Sequence, residues 1–305
     1  SSSSSSSSSS LSNTSVVRHT VDRTLKFYIG GRQVRPDAPY TRVIYESGKP
    51  SVILGQAGEG NRKDVRNAVE AAHRAAPGWG KRAAYNRAQI LYFIAENLDV
   101  RFDEFATRIQ RQTGCSEKQA RDEVSTSIER LFFWAAFSDK YGGEVKETTL
   151  YGATVQINEP IGVIGIACPD EHPLLGFISL FAPAVVRANT VVIIPSEKYP
   201  LSALDLFQVF ECSDLPAGVV NIITGSRDLL TKVLVQHMDV NAMWYHGPDA
   251  IGSYHVENLS AENLKRTWVN YGKSIDFNAK MVASRAKEYL YHSTQVKTIW
   301  APAGV

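Results

Sequence analysis

GVIGIACPDEHPLLGFISLFAPAVVRANTVVIIP, residues 162–195, holds two short apolar runs separated by a segment of helix length. Neither GVIGIAC (162–168) nor TVVIIP (190–195) alternates apolar with polar residues, so each predicts a strand covered on both faces. The pattern then repeats. Helix-length segments at Leu201–Cys212, Asp228–Gln236 and Asp249–Leu259 are interleaved with GVVNII (218–223), NAMWY (241–245) and RTWVN (266–270). This alternation predicts an α/β fold with a parallel sheet wound on both faces, whose ligands would gather at the carboxyl ends of the strands.

Upstream, KFYIGGRQV (26–34) predicts a short hairpin turning at Gly30 and Gly31. Asn61 followed three residues later by Asp64 predicts a helix start, and Pro77 with Gly78 predicts its end. Two further helices present Ile90, Leu91, Phe93, Ile94 and Leu98, then Phe102, Phe105 and Ile109. A fourth is opened by Ser116 with Gln119. The segment 152–160, GATVQINEP, alternates and predicts an exposed antiparallel strand. After Ser274 a helix near 278–291 leads to TQVKTIWAP, a strand suited to addition at a sheet edge.

The 305 residues are 44% hydrophobic, enough for a large core, and 33 Lys plus Arg against 31 Asp plus Glu leave a net charge of only +2. No basic footprint for nucleic acid or an anionic membrane follows from that balance. Cys115, Cys168 and Cys212 form no CxxC pair, which suits a reducing, cytoplasmic setting. No apolar run reaches the roughly 18 residues a membrane span requires, and no signal peptide is expected at the start. Residues 1–10 are all serine and are expected, with the rest of 1–24, as linker.

FYIGG (27–31), EPIGV (159–163), PSE (195–197), LPAGVVNIITG (215–225), GPDAIG (247–252) and YGK (271–273) carry a pattern that resembles the aldehyde dehydrogenase superfamily from about Leu25 to Lys273. The chain is most similar to the second, truncated, non-catalytic unit of the family 16 aldehyde dehydrogenases. The resemblance implies a Rossmann-type NAD(P)-binding-like domain over 25–151 and 161–273, with N-terminal helices. It also implies a small β oligomerisation or bridging arm over 152–160 and 289–305, with the catalytic domain missing.

The same resemblance implies that catalysis is lost. The family's oxyanion-binding asparagine falls on Glu171, which would set a negative acceptor where negative charge develops. Its general-base glutamate falls on Val269, and no cysteine follows Cys212 to serve as nucleophile. Of the cofactor positions, Ser196, Glu197, Gly225, Gly247 and Gly252 survive, while a ribose-binding lysine falls on Ile194. Further family glycines fall on Arg227 and Thr231, and a phosphate-contacting serine on Pro248. The site is thus vestigial: no cofactor is expected, with NAD the one ligand left open.

Cys168, Asp170, Glu171 and His172 are metal-ligand types in one tight run, but they lack a second half at zinc spacing, so no metal is expected. Cys168 and His172 as nucleophile and base lack a third, orienting group. Arg227 and Arg266 are expected as solvated residues, and His237 and His246 as ordinary surface or capped histidines. The aromatic-rich segment 129–143 is expected in the core and at a subunit interface. The expected partners are a second copy bound through the arm strands, a catalytic aldehyde dehydrogenase unit of the same longer chain, and other proteins. The expected role is a pseudoenzyme scaffold. Its rivals are the structural or regulatory half of an NAD-dependent aldehyde dehydrogenase, and an NAD(P) sensor without turnover.

Overall fold

The computed structural model describes residues 24–149 and 151–302. The serine run and the remainder of 1–23 lie outside the described residues, whereas Thr24 opens the first strand. The chain begins with β1 (Thr24–Leu25), the hairpin β2 (Phe27–Ile29) and β3 (Arg32–Val34), and a second hairpin, β4 (Thr41–Glu46) and β5 (Lys49–Gly58). At the first turn Gly30 and Gly31 take φ of 61° and 76°, and a Cβ on Gly31 would stand 2.7 Å from that of Ala217. Strain and crowding both select glycine there. The sequence does not announce the second hairpin, because its pairing shifts register between Ile44 and Glu46 and so blurs the alternation that marks a strand.

Four helices follow: α1 (Arg62–Gly80), α2 (Ala84–Val100), α3 (Phe102–Thr113) and α4 (Glu117–Phe137). Asn61 and Asp64 form a reciprocal cap on α1, as Ser116 and Gln119 do on α4. Contrary to expectation, α1 does not stop at Pro77 but runs on to Gly80. Trp79 is buried and its indole N–H donates to the Val185 carbonyl at 2.9 Å. That tertiary anchor holds the last turn in place despite the proline.

The main sheet is built from β8 (Val163–Ala167), β9 (Thr190–Ile194), β10 (Val220–Ile222), β11 (Ala242–Tyr245) and β12 (Arg266–Val269). Between them run α5 (Pro173–Val186), α6 (Leu201–Glu211), α7 (Arg227–Gln236) and α8 (Ala250–Ser260). The strand order is β12-β11-β8-β9-β10-β2-β3, parallel from β12 to β10, with the β2–β3 hairpin closing one edge antiparallel. Every residue of β8, β9 and α5 is buried. A helix apolar on all sides must lie between layers, and α5 does so between the sheet and α2 with α4.

The last helix, α9 (Ala283–Ser293), starts later than the sequence suggests. The Asp276 carboxylate accepts from the backbone N–H groups of Asn278 and Ala279. Buried Arg130 donates to the carbonyls of Phe277 and Ala279, which holds the stretch out of a helix. A third, three-stranded sheet is formed by β6 (Glu144–Lys146), β7 (Gly152–Pro160) and β13 (Thr294–Pro302), in the order β13-β7-β6. The edge that β13 joins is that of its own chain: it pairs antiparallel with β7 along its whole length, from Thr294 opposite Pro160 to Pro302 opposite Gly152. Residues 144–146, grouped by sequence with the α/β unit, are thus the arm's third strand. Conversely, Tyr289 and Leu290 are buried in α9 rather than placed in the arm.

Candidate functional site

The carboxyl ends of the parallel strands carry Cys168, Ile194, Ser196, Gly225, Tyr245, Gly247 and Val269, so the fold does gather the sequence-expected positions along one lip. Ile194 is buried and contributes no polar group. Ser196 and Glu197 follow it, and both point into a network with two residues whose role the sequence does not disclose. Asp170 accepts hydrogen bonds from the Ser196 hydroxyl at 2.8 Å and from the Arg227 guanidinium at 2.6 Å. Arg227, expected in solvent, is 4% exposed. Burial pushes the Asp170 carboxyl up, but Arg227 and the donors Ser196 and Lys198 outweigh it and hold it below the ordinary range.

The Glu197 carboxylate accepts from the Arg227 backbone N–H at 2.8 Å and lies 3.7 Å from Arg42, whose guanidinium also donates to the Glu197 carbonyl. The one surviving ribose-type acceptor is therefore already committed within the chain. At the next position Tyr245 turns its hydroxyl into the concave turn formed by Gly247 and Gly252. A Cβ on those glycines would meet that oxygen at 2.2 and 2.1 Å. Burial, with Asp228 nearby, pushes the Tyr245 phenol up to about 12, so it stays neutral.

Helix N-termini supply free N–H groups and a positive dipole end, and are the ordinary seat of a phosphate. Four open on this lip: α6 starts after Pro200 without a side-chain cap, and the other three each hold a carboxylate of the chain. Glu123 accepts from Leu174 and Leu175 at the start of α5, at 2.8 and 3.1 Å. Glu197 takes the Arg227 N–H at the start of α7, and Asp249 takes the Gly252 N–H at the start of α8, at 3.0 Å. Four backbone N–H groups at these helix starts are thus taken by carboxylates of the chain, and an anion brought to them would meet negative charge.

Glu171 is exposed on the wall of a cleft of about 440 Å³ that also takes in Cys115, Glu123, His172 and Asn278. His172 sits at φ 51°, bonded to the Asn278 amide at 2.9 Å and 3.8 Å from Glu123, whose charge raises the imidazole above its ordinary value. Cys168 is fully buried and burial pushes its thiol far up, so it is no nucleophile. Among the described residues no group of three or more His, Cys, Asp and Glu side chains could hold a metal ion. Val269 ends β12, and Asn270 beyond it braces the turn by donating to the carbonyls of Gly247 and Lys273.

Two other expectations are corrected here. His246 is not at the surface but 1% exposed, edge-on to Trp268, with neither ring nitrogen hydrogen-bonded. Arg266 is tied to the arm, donating to the carbonyls of Tyr291 and Thr294. Neither placement has a local signal, since each depends on residues that fold in from a distant part of the chain.

Comparison with known proteins places this geometry. The family model described as aldehyde dehydrogenase family matches residues 41–286. A malonate-semialdehyde dehydrogenase of Bacillus pumilus (strain SAFR-032) is 32% identical over 79% of the chain and 49% of its own length. An alpha-ketoglutaric semialdehyde dehydrogenase of Bacillus subtilis (strain 168) is 30% identical over 76% of the chain and 48% of its own. Among solved structures, betaine aldehyde dehydrogenase from Staphylococcus aureus in complex with NAD+ superimposes with a TM-score of 0.76 at 25% identity, over 80% of this chain and 50% of that one. An NAD+ complex of aldehyde dehydrogenase from Bacillus cereus gives 0.78 at 24% over 81% and 50%, a likeness of fold. The chain spans about half the length of the curated relatives it matches.

Proposed function

The chain belongs to the aldehyde dehydrogenase family, and from that premise we propose that it is a non-catalytic unit that serves assembly and protein–protein contact within a longer chain. The observation that carries the reading is the self-filled lip: Asp170 with Arg227, Glu197 with Arg42, and the Tyr245 hydroxyl in the Gly247–Gly252 turn. Glu171 and Val269 leave neither an oxyanion donor nor a base at the family's positions. The arm adds an unpaired strand edge among the described residues, the outer side of β13. Its partners in this reading are a second copy and the catalytic aldehyde dehydrogenase unit of the same longer chain. The unit would then be the structural half of an enzyme whose other half oxidises an aldehyde with NAD. The three free cysteines suit a cytoplasmic location, and no helix of the described residues is long and apolar enough to cross a membrane.

A sensor reading draws on one feature, a groove of about 540 Å³ between α7 and α8, bordered by Leu229, Lys232, Ile251 and His255 beside Gly252. It is of ligand size. Calorimetric titration of NAD and NADH into the folded chain separates the two. The scaffold reading expects no heat at millimolar nucleotide. Affinity tighter than about 100 μM, roughly 5.5 kcal/mol, would overturn it in favour of the sensor.

A further inference from the structure

α1 and α7 enclose a pocket of about 380 Å³ that shares no residue with the lip, lined by Arg62, Lys63, Arg66, Val233, Gln236 and His237. Every polar side chain in it can donate a hydrogen bond, three are cations, and none is a carboxylate. The helix is not helped by this placement. Arg62 and Lys63 stand in the first turn of α1, where the dipole disfavours positive charge. The first N–H groups of α1 take no part, since the Asn61 side chain already accepts from Lys63 and Asp64. Neighbouring acids leave the cluster largely open. Lys63 is paired with Asp37, and Arg66 lies 3.6 Å from Glu70 through its Nε alone. Arg62 has no carboxylate partner among the described residues. The opposite wall is held in place from behind. His237 ends α7, its carbonyl accepts from the buried Lys265 ammonium at 2.9 Å, and its Nδ1 accepts from the Asp239 N–H at 3.2 Å. An acceptor at Nδ1 puts the ring proton on Nε2, which has no partner among the described residues.

We propose that this pocket binds the phosphate group of a small phosphorylated molecule, independently of the assembly role above. Arg62 and Arg66 are one turn apart and so share a face of α1. Their planar forks suit the paired oxygens of a phosphate, and Lys63 adds a point charge. From α7 the Gln236 amide and the His237 Nε2–H supply neutral donors to the same anion, so the ligand bridges the two helices. The ester oxygen and the carbon chain it carries face the open mouth, beside the apolar wall of Val233. The volume lies in the range of small-molecule sites. A nucleic acid would need cations extended along a groove, and this chain, with a net charge of +2, concentrates them in one pocket.

Calorimetric titration of glycerol 3-phosphate into the full 305-residue chain, at an ionic strength of about 0.01 M where screening is weak, tests the site. The proposal expects a dissociation constant below about 1 mM, and no heat from glycerol. Arg62→Gln and Arg66→Gln should each weaken binding about tenfold, and Arg66→Lys, which keeps the charge but loses the fork, about threefold. Arg74→Gln is the control: it removes one charge from the same helix, beside the same Glu70, but outside the pocket. It should change affinity less than about twofold. All of these side chains are exposed, so the circular dichroism should stay that of the parent chain. If Arg62→Gln fails to fold, Arg66→Lys against Arg74→Gln still decides. No heat at about 10 mM ligand overturns the proposal. Equal losses from Arg74→Gln and Arg66→Gln also overturn it, because they would mark diffuse surface charge. Heat from inorganic phosphate without heat from glycerol 3-phosphate overturns the ester assignment, and a phosphoserine peptide binding about tenfold tighter than glycerol 3-phosphate overturns the small-molecule one.

Discussion

The lip of the seven-stranded sheet and the edge of the arm follow opposite rules. At the lip, donors meet acceptors of the same chain: Asp170 meets Arg227, Glu197 meets Arg42 and an N–H of α7, and Glu123 and Asp249 cap α5 and α8. Along the outer edge of β13 a row of backbone groups has no strand beside it among the described residues. Side chains that bond one another within the chain are less free to bind a ligand, whereas an unpaired strand edge must find water or another strand. The charged side chains of the lip are thus tied within the chain, while the outer edge of the arm is open among the described residues.

The contrast can be broken from either side. The largest effect is expected at the lip. Asp170→Ala strands the buried guanidinium of Arg227, and loss of one partner from such a pair costs about 3–5 kcal/mol, read as a lower urea midpoint. If the midpoint holds within about 0.5 kcal/mol, Asp170 and Arg227 are solvated and the lip is not self-filled.

A second effect depends on pH. Burial, with His292 beside it, depresses His246 from 6.5 to about 3, and burial with Arg266 depresses His292 to about 4. The unfolded chain takes up these protons first, so the stability they contribute is complete above pH 6.5. It falls as acid is added through the folded values, by at most about 1.4 kcal/mol per pH unit for each group. Denaturation midpoints at pH 7.5, 5.5 and 4.5 should decline accordingly. His246→Leu should flatten part of that decline, and an unchanged slope would place the titration elsewhere.

Smaller still, Asn61→Ala removes the α1 cap and should lower stability by about 1 kcal/mol without touching either surface. The smallest change is expected at the arm. Trp300→Thr should leave chain stability within about 0.5 kcal/mol, because nearly half of the side chain is in solvent, while weakening association. A large loss of stability instead would mean that Trp300 is part of the monomer's own packing.

Much of the architecture was legible because it is encoded over short distances. The uninterrupted apolar runs of β8 and β9, the caps at Asn61 and Ser116, and the Gly30–Gly31 turn state their conformations within a few residues. The errors have a common cause. Pro77 reads as a stop until Trp79 finds Val185, and 278–282 reads as helical until Arg130 claims the carbonyls of Phe277 and Ala279. Position-by-position resemblance pointed to Ser196, Glu197, Gly225, Gly247 and Gly252. It could not say that Asp170, Arg227 and Tyr245 would fill the space between them.

By itself, then, the sequence determined the alternation of parallel strands and helices from 162 to 270, the layered α/β class, and the absence of a carboxylate at Val269 or a neutral donor at Glu171. Those properties follow from local periodicity and residue chemistry. Only the tertiary structure decided that Asp170 pairs with Arg227 at the strand ends, that His246 is entombed beside Trp268, and that β13 pairs with its own β7 and leaves its other edge without a strand among the described residues. Each of these joins residues far apart in the chain, and hydrogen bonding and desolvation depend on which groups meet in space.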